Sequence, residues 1–360
     1  MTAFAQRMKL TEQDVLKALR KVKDPELGVD VVQMGMIKDL TVRGGHVSFT
    51  LELTTPACPF NEELKASVLQ AVESLKGVEK VSMEVKSRVM SVRPQTPGLS
   101  PMPGVKNVIA VASGKGGVGK STVSVNLAVA LAEAGASTGL LDADVYGPTI
   151  PRFIRNYSYG SNVKGNKLEP AEGPYGIRMM SLGLILQDDT PVIWRGPLVG
   201  SAVRQLLTEV DWGELDYLVV DLPPGTGDAP LTLAQTVPVG GVVIVTTPQQ
   251  AAVTIAMKAL RMFQRLNVNV IGIVENMSYV KCEGCGRTLR VFGESHARKA
   301  ALEAGVPLLA EVPLLETILE GSEDGTPVIV RAPRSEAAEV FRNLARRVAG
   351  RVSVIAAGGR

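Results

Sequence analysis

Cysteine is scarce. Three in 360 residues cannot build a disulfide framework, so a reducing compartment is the expectation. An excess of charge is also missing: 39 basic residues face 36 acidic ones, a formal net charge of +3. That balance leaves no clustered basic face of the kind nucleic acid requires. Histidine is nearly absent, and His46 and His296 lie outside any ligand-spaced company, so they read as surface residues. No uninterrupted apolar run approaches the roughly 18 residues of a membrane span, and the stretch MTAFAQRMKLTEQD lacks an apolar secretory core. A cytoplasmic protein without a nucleic-acid partner is expected.

What is present suits a soluble globular chain. Hydrophobic residues make up 45% and charged residues 21%, an ordinary balance for a well-buried core, and the length suits two domains. A small α+β unit is expected over 8–91. It contains a helix from Thr11 to Lys21, a half-buried strand from Val47 to Leu53, a helix from Glu62 to Leu75 and a strand from Val78 to Val85. Residues 92–106 carry four prolines and two glycines without apolar period and read as a linker. From 107 to 352, short β-branched runs alternate with helices. The expected strands are Val108–Ala112, Thr138–Asp142, Ile177–Leu182, Tyr217–Asp221, Val242–Thr246 and Val270–Val274; helices include Ser121–Ala134 and Ala251–Leu266. Such runs fit a mostly parallel sheet wrapped by helices, an α/β fold. Residues 353–360 are expected to form a flexible tail.

Gly114-Lys115-Gly116-Gly117-Val118-Gly119-Lys120-Ser121, with Thr122 next, follows a buried strand and opens a helix. This is the context of a phosphate-binding P-loop. Its glycines let backbone N–H groups curl around phosphate oxygens, and the helix N-terminus adds partial positive charge. Lys120 is placed to reach the β- and γ-phosphates of ATP, and the Ser121 hydroxyl to bind Mg²⁺. Two acidic segments, Leu141-Asp142-Ala143-Asp144 and Val220-Asp221-Leu222-Pro223-Pro224-Gly225, end strands. Ligands of open α/β sheets sit beyond those strand ends. Asp221 then suits the Mg²⁺-side carboxylate, and Asp144 the positioning of an attacking water. Asp142 could equally be a helix N-cap. The loop Gly225-Thr226-Gly227-Asp228 could sense a γ-phosphate or be an ordinary turn.

At this point the residues resemble a known family. Lys115 is not required by an ordinary P-loop, and GKGGVGKS is similar to the deviant Walker A loop of the MinD, ParA, arsenite-pump and nitrogenase iron-protein ATPases. The resemblance implies a homodimer sandwiching two ATP molecules, with Lys115 crossing to the other subunit's nucleotide. Asp142-Ala143-Asp144-Val145-Tyr146-Gly147-Pro148, Trp194-Arg195-Gly196-Pro197, Asp221 to Asp228, Glu275-Asn276-Met277-Ser278 and Cys282-Glu283-Gly284-Cys285 together resemble the Mrp/ApbC branch. That branch comprises iron–sulfur cluster carrier ATPases. It implies a [4Fe–4S] cluster as cargo, apo-proteins and cluster donors as partners, and Asn276 at the nucleotide base. Asp24-Pro25-Glu26 and Thr54-Thr55-Pro56-Ala57-Cys58-Pro59 resemble the SufT/PaaD-like domain tied to iron–sulfur assembly.

Cys282 and Cys285 supply two thiolates, whereas an all-cysteine [4Fe–4S] or zinc site needs four. A two-fold dimer would bring the other two. A zinc site and a redox pair remain open readings of C-x-x-C. So does electron transfer, as in the nitrogenase iron protein. Cys58 is either a buried hydrophobe or a thiol activated at a helix start. Near the C-terminus, Val340, Phe341, Leu344, Val348 and Val352 share a helix face. Such a stripe packs on a domain or, in a membrane-binding spatial regulator, on lipid.

Overall fold

The computed structural model describes residues 10–25, 28–57, 60–92, 99, 102–159, 163–164, 167–186, 196–282 and 284–358. Cys58, Glu26, Trp194, Arg195 and most of the 92–106 segment lie outside the described residues.

Helix α1 (Glu12–Leu19) begins at a capping box, in which the Thr11 hydroxyl accepts the Asp14 N–H and the Asp14 carboxylate accepts the Thr11 N–H. Strands β1 (Ile37–Arg43) and β2 (His46–Leu53) pair antiparallel. Helix α2 (Asn61–Glu73) then carries the chain over to β3 (Lys80–Ser87), which runs parallel to β2. A parallel neighbour demands such a crossover. Val15, Leu19, Phe49, Leu51, Leu64 and Val68 close the core beneath. Strand β1 was not expected. A register shift between Lys38 and Thr41, with Asp39 at φ 51°, breaks the alternation that would have revealed it.

The second unit opens with β4 (Val105–Ser113), α3 (Lys120–Glu133), β5 (Thr138–Asp142) and the short α4 (Ile150–Phe153). Strands β6 (Val163–Lys164) and β7 (Lys167–Leu168) pair as a small hairpin, and β8 (Ala171–Glu172) and β9 (Arg178–Met180) follow. Next come α5 (Gly196–Thr208), β10 (Leu215–Asp221), α6 (Asp228–Thr236), β11 (Val239–Thr246) and α7 (Gln250–Arg265). Strand β12 (Val270–Glu275) precedes a hairpin of β13 (Val280–Lys281) and β14 (Thr288–Leu289). The chain ends with α8 (His296–Glu303), β15 (Leu308–Glu311), α9 (Glu316–Asp324), α10 (Val328–Arg331) and α11 (Glu336–Ala356).

Eight strands form one sheet in the order β15-β12-β11-β4-β10-β5-β9-β8, parallel except where β8 meets β9. Alternate residues serve opposite faces. Ile109, Val111, Tyr217 and Val219 pack with α3 and α11, while Val108, Ala110, Leu218 and Val220 pack with α5, α6 and α7. Burial on both faces explains the near-continuous apolar runs of these strands. The expected strand over Ile177–Leu182 shrinks to β9, because the Ser181 hydroxyl accepts the Gly183 N–H and starts a 3₁₀ turn at Leu182.

The small unit docks at the end of the sheet where strands begin. The Thr55 hydroxyl lies 3.0 Å from the Tyr217 hydroxyl in a buried contact. The Asn107 amide donates to Met90 O (2.9 Å), and its carbonyl accepts the Val92 N–H (3.0 Å). Ala57 and Val89 join the core on the α3 side.

One boundary differs from expectation at the carboxyl end. Helix α11 runs through residues 353–356, and Ser353, Val354 and Ile355 are buried. Those residues belong to the body of the domain rather than to a flexible tail, because the helix keeps its apolar period to Ile355. Phe341, Leu344, Val348 and Val352 are also buried, with Val340 packed beside them. The stripe is thus core, which removes the feature on which the lipid-binding reading rested. Among the described residues, no helix is long and apolar enough to cross a membrane. Phe341→Ala should therefore lower the unfolding free energy by about 3–5 kcal/mol, measured by urea denaturation. A change within about 0.5 kcal/mol would place the stripe outside the core.

Candidate functional site

The loop between β4 and α3 adopts a conformation that requires its glycines at two points. A Cβ on Gly114 would lie 2.5 Å from the backbone of Ile255 and Ala256 in the second turn of α7. Gly119, which precedes α3, has φ 77°, and a Cβ there would lie 2.1 Å from the Asn276 amide nitrogen. That amide donates to Val118 O at 2.9 Å, so the chain beyond β12 holds the loop from outside. The expectation for Asn276 was the nucleotide base; what it touches in the structure is the loop.

At the carboxyl end of β10, Asp221 is fully buried and accepts three donors. Ser121 Oγ lies 2.6 Å from Oδ2, Ser124 Oγ 2.5 Å from Oδ1, and Lys120 Nζ 2.8 Å from Oδ2. Lys120 is buried too and approaches Asp144 at 3.9 Å. Lys120, Ser121, Asp144 and Asp221 thus come together as expected from their positions. Ser124 was missed; its only signal was lying four residues after Lys120, on the same face of α3. Gly225 N–H donates to Ser113 O (2.8 Å), which ties the loop after β10 to the start of the phosphate loop. Gly196 packs so tightly on Asp228 that a Cβ would fall 2.1 Å from its carboxylate. Two motifs far apart in sequence meet there.

Asp142 bonds to the first residue of α4, eight positions on. Its Oδ2 accepts the Ile150 N–H (3.1 Å) and the Ser181 hydroxyl (2.9 Å), and its Oδ1 accepts the Asp144 N–H (3.2 Å). Burial, and then the charge of Asp221, raise its pKa to about 7 against these donors and Lys120. Burial likewise raises Asp144, with Lys120 opposing it. The Lys120 ammonium therefore sits between the Asp221 and Asp144 carboxylates, at a point where polyphosphate charge would be neutralised.

Lys115 is exposed, and among the described residues its ammonium makes no ion pair. The two thiols sit on the hairpin that follows β12. Cys282 N–H donates to Arg287 O (2.9 Å) and Gly286 N–H to Cys282 O (2.8 Å), so the chain turns tightly between the legs. Cys285 is exposed and Cys282 half-buried. Residues beyond them are also exposed, including Leu289, Val291 and Phe292. Among the described residues, no group of three or more His, Cys, Asp or Glu forms a metal-sized cluster.

A parallel sheet bearing a glycine loop, a buried Lys120, the Ser121 hydroxyl and Asp221 on its carboxyl rim defines a P-loop NTPase. Comparison with known proteins narrows the class. Residues 104–349 match the family described as ParA, NUBPL iron-transfer P-loop NTPase, and residues 12–85 match the family described as iron-sulfur cluster assembly protein. The chain is 48% identical over 352 residues to the iron-sulfur cluster carrier protein of Synechocystis, covering 96% of this chain and 99% of that protein. A nucleotide-binding protein from Archaeoglobus fulgidus, solved with ADP, is 39% identical with a TM-score of 0.57 over 66% of this chain and 93% of its own. The septum site-determining protein MinD of Pyrococcus horikoshii, at 22% identity and TM-score 0.51 over 66% of this chain and 94% of its own, shares the fold. The chain belongs to the NUBPL-type iron-transfer P-loop NTPases and carries an iron–sulfur cluster assembly domain at its N-terminal side.

Gly119→Ala should displace Asn276 and weaken MgADP binding at least about tenfold, roughly 1.4 kcal/mol, by calorimetry. Unchanged affinity would show the contact to be incidental. A second expectation concerns pH. Folded Asp142 keeps its proton up to about pH 7, against an ordinary value of 3.8. The folded chain therefore binds more protons in that window, and stability falls as pH rises through it. In buffer free of nucleotide and magnesium, Asp142→Asn should flatten this fall in urea midpoints between about pH 4.5 and 8; an unchanged slope would contradict the assignment.

Proposed function

We propose that this chain hydrolyses ATP and carries an iron–sulfur cluster, a [4Fe–4S] cluster, between two copies of itself for delivery to apo-proteins. One observation carries the reading. An exposed hairpin presents two thiols, Cys282 and Cys285, at the same end of the sheet as the phosphate loop. Two thiols are half of an all-cysteine cluster site, and a two-fold axis supplies the other half.

The nucleotide chemistry follows from the loop. Backbone N–H groups of Gly116 to Thr122 at the start of α3 face the phosphates, and Lys120 neutralises their β and γ oxygens. Lys120 must leave Asp221 to do so, which frees the carboxylate and the Ser121 hydroxyl to hold Mg²⁺. The ion would add charge neutralisation on the phosphate oxygens. Asp144 positions the water that attacks the γ-phosphorus; the bond to the β–γ bridging oxygen breaks, giving ADP and phosphate. Exposed Lys115 reaches the nucleotide of a second copy, which makes hydrolysis a property of the dimer. The loops at Asp144 and Asp228 lose the γ-phosphate afterwards, and the two-fold geometry at the thiols changes with them. Asn276, close to the loop, is the residue we assign to the nucleotide base.

Anaerobic reconstitution with iron and sulfide tests the cargo. The double variant Cys282→Ala, Cys285→Ala should bind no stable cluster, by visible absorbance and iron analysis; a full cluster in that variant would sink the reading. Lys120→Ala should lose ATP hydrolysis by at least about 100-fold while reconstituting as wild type.

A further inference from the structure

The loops at Asp144 and Asp228 are one route by which nucleotide could reach the thiols. The structure contains another and shorter one. Asn276 holds the phosphate loop through Val118 O, and only six positions later, at Cys282, the hairpin turn begins. Between them the chain is not slack. Asn276 N–H donates to Thr246 O and Ser278 N–H to Val312 O, while Met277 sits at φ 56°, a left-handed conformation rare for a side-chain-bearing residue. The thioether of Met277 lies 3.8 Å from where a Gly119 Cβ would be.

Beside this segment stands Glu275, at the end of β12 and fully buried. Among the described residues its carboxylate forms no ion pair and no hydrogen bond to the phosphate loop. Its carboxyl accepts the Ser278 hydroxyl (2.5 Å) on one oxygen and the Ser295 hydroxyl (2.6 Å) on the other. A fully buried carboxyl held by two hydroxyls is costly to place and rigid once satisfied. Ser278 in turn accepts from Arg290 (3.4 Å), the residue immediately after β14. Arg290 also pairs with Glu311 at the end of β15 (3.4 Å). The other leg of the hairpin is tethered separately, Lys281 to Glu336 at 2.6 Å.

We propose that Glu275, Ser278 and Arg290 are positioning residues that transmit the state of the phosphate loop to the cysteine hairpin. This rests on the reading that nucleotide and thiol site are coupled. A shift of the loop at Val118 pulls on Asn276; the strained Met277 passes it to Ser278. Ser278 cannot move without disturbing Glu275 or Arg290, and Arg290 is the root of the β14 leg. The hairpin therefore has one leg fixed to α11 and one leg that answers to the loop.

The test uses the full chain without a cluster, so that it does not depend on cargo. Alkylation of Cys282 and Cys285 by N-ethylmaleimide is followed by peptide-resolved mass spectrometry with MgADP and with a non-hydrolysable ATP analogue. In the wild type the two rates should differ at least about fivefold, the lower range for coupled sites. Ser278→Ala should bind both nucleotides as tightly as wild type yet bring the ratio to about one, and Ser278→Thr, which restores the hydroxyl, should recover it. If Ser278→Ala does not fold, Arg290→Gln at the hairpin root decides, with the same loss expected. A wild-type ratio of one, or a ratio that survives both Ser278→Ala and Arg290→Gln, overturns the relay. Failure of cluster reconstitution with the ratio intact would remove the cargo and leave the relay standing.

Discussion

The carboxylate of Asp221 is the contact on which the nucleotide end of this molecule depends. A buried carboxylate left alone would cost several kcal/mol. Here Lys120, Ser121 and Ser124 surround it, all from the first turns of α3. The attraction fixes the start of α3 against the end of β10 and thereby shapes the loop before it. It also holds the ammonium and the hydroxyl that polyphosphate and a divalent cation would use, aimed at one point before any ligand arrives. The grip is local, since all three donors lie within five residues of one another.

The fold separates two tasks by placing them at opposite ends of the sheet. The small unit docks where β4 and β10 begin, through Asn107 and Tyr217. The phosphate loop and the cysteine hairpin follow strand ends. The seven residues of β10 span roughly 20 Å at about 3.3 Å per residue. On that geometry the small unit leaves the carboxyl rim uncovered, as the proposed pairing of two copies requires. The cysteine hairpin is exposed, as are Leu289, Val291 and Phe292 that follow the thiols.

Features carried by contiguous residues were readable before the structure. The glycine loop was one, and β5 runs over Thr138–Asp142 as its β-branched and leucine run suggested. Helix α11 was seen as amphipathic, but a stripe of apolar residues says nothing of what covers it. Features created by tertiary proximity were not readable. Ser124 on Asp221, Ser181 on Asp142 and the Glu275 pair of hydroxyls join residues that the sequence holds apart or gives no reason to link. Asp142 shows why. Its carboxylate accepts the N–H of nearby Asp144 but also that of Ile150 and the hydroxyl of distant Ser181. Strand β1 stayed hidden because a bulge breaks its alternation at Asp39. Asn276 adds a contact the motif did not announce, its amide donating to Val118 O in the phosphate loop.

The central claim is that one chain holds half of a shared site. Native mass spectrometry of the anaerobically reconstituted full-length protein measures it directly, because it counts chains and iron in the same ion. The account predicts a species of two chains with one four-iron cluster, and no cluster on single chains. A cluster bound stably by one chain alone would contradict it.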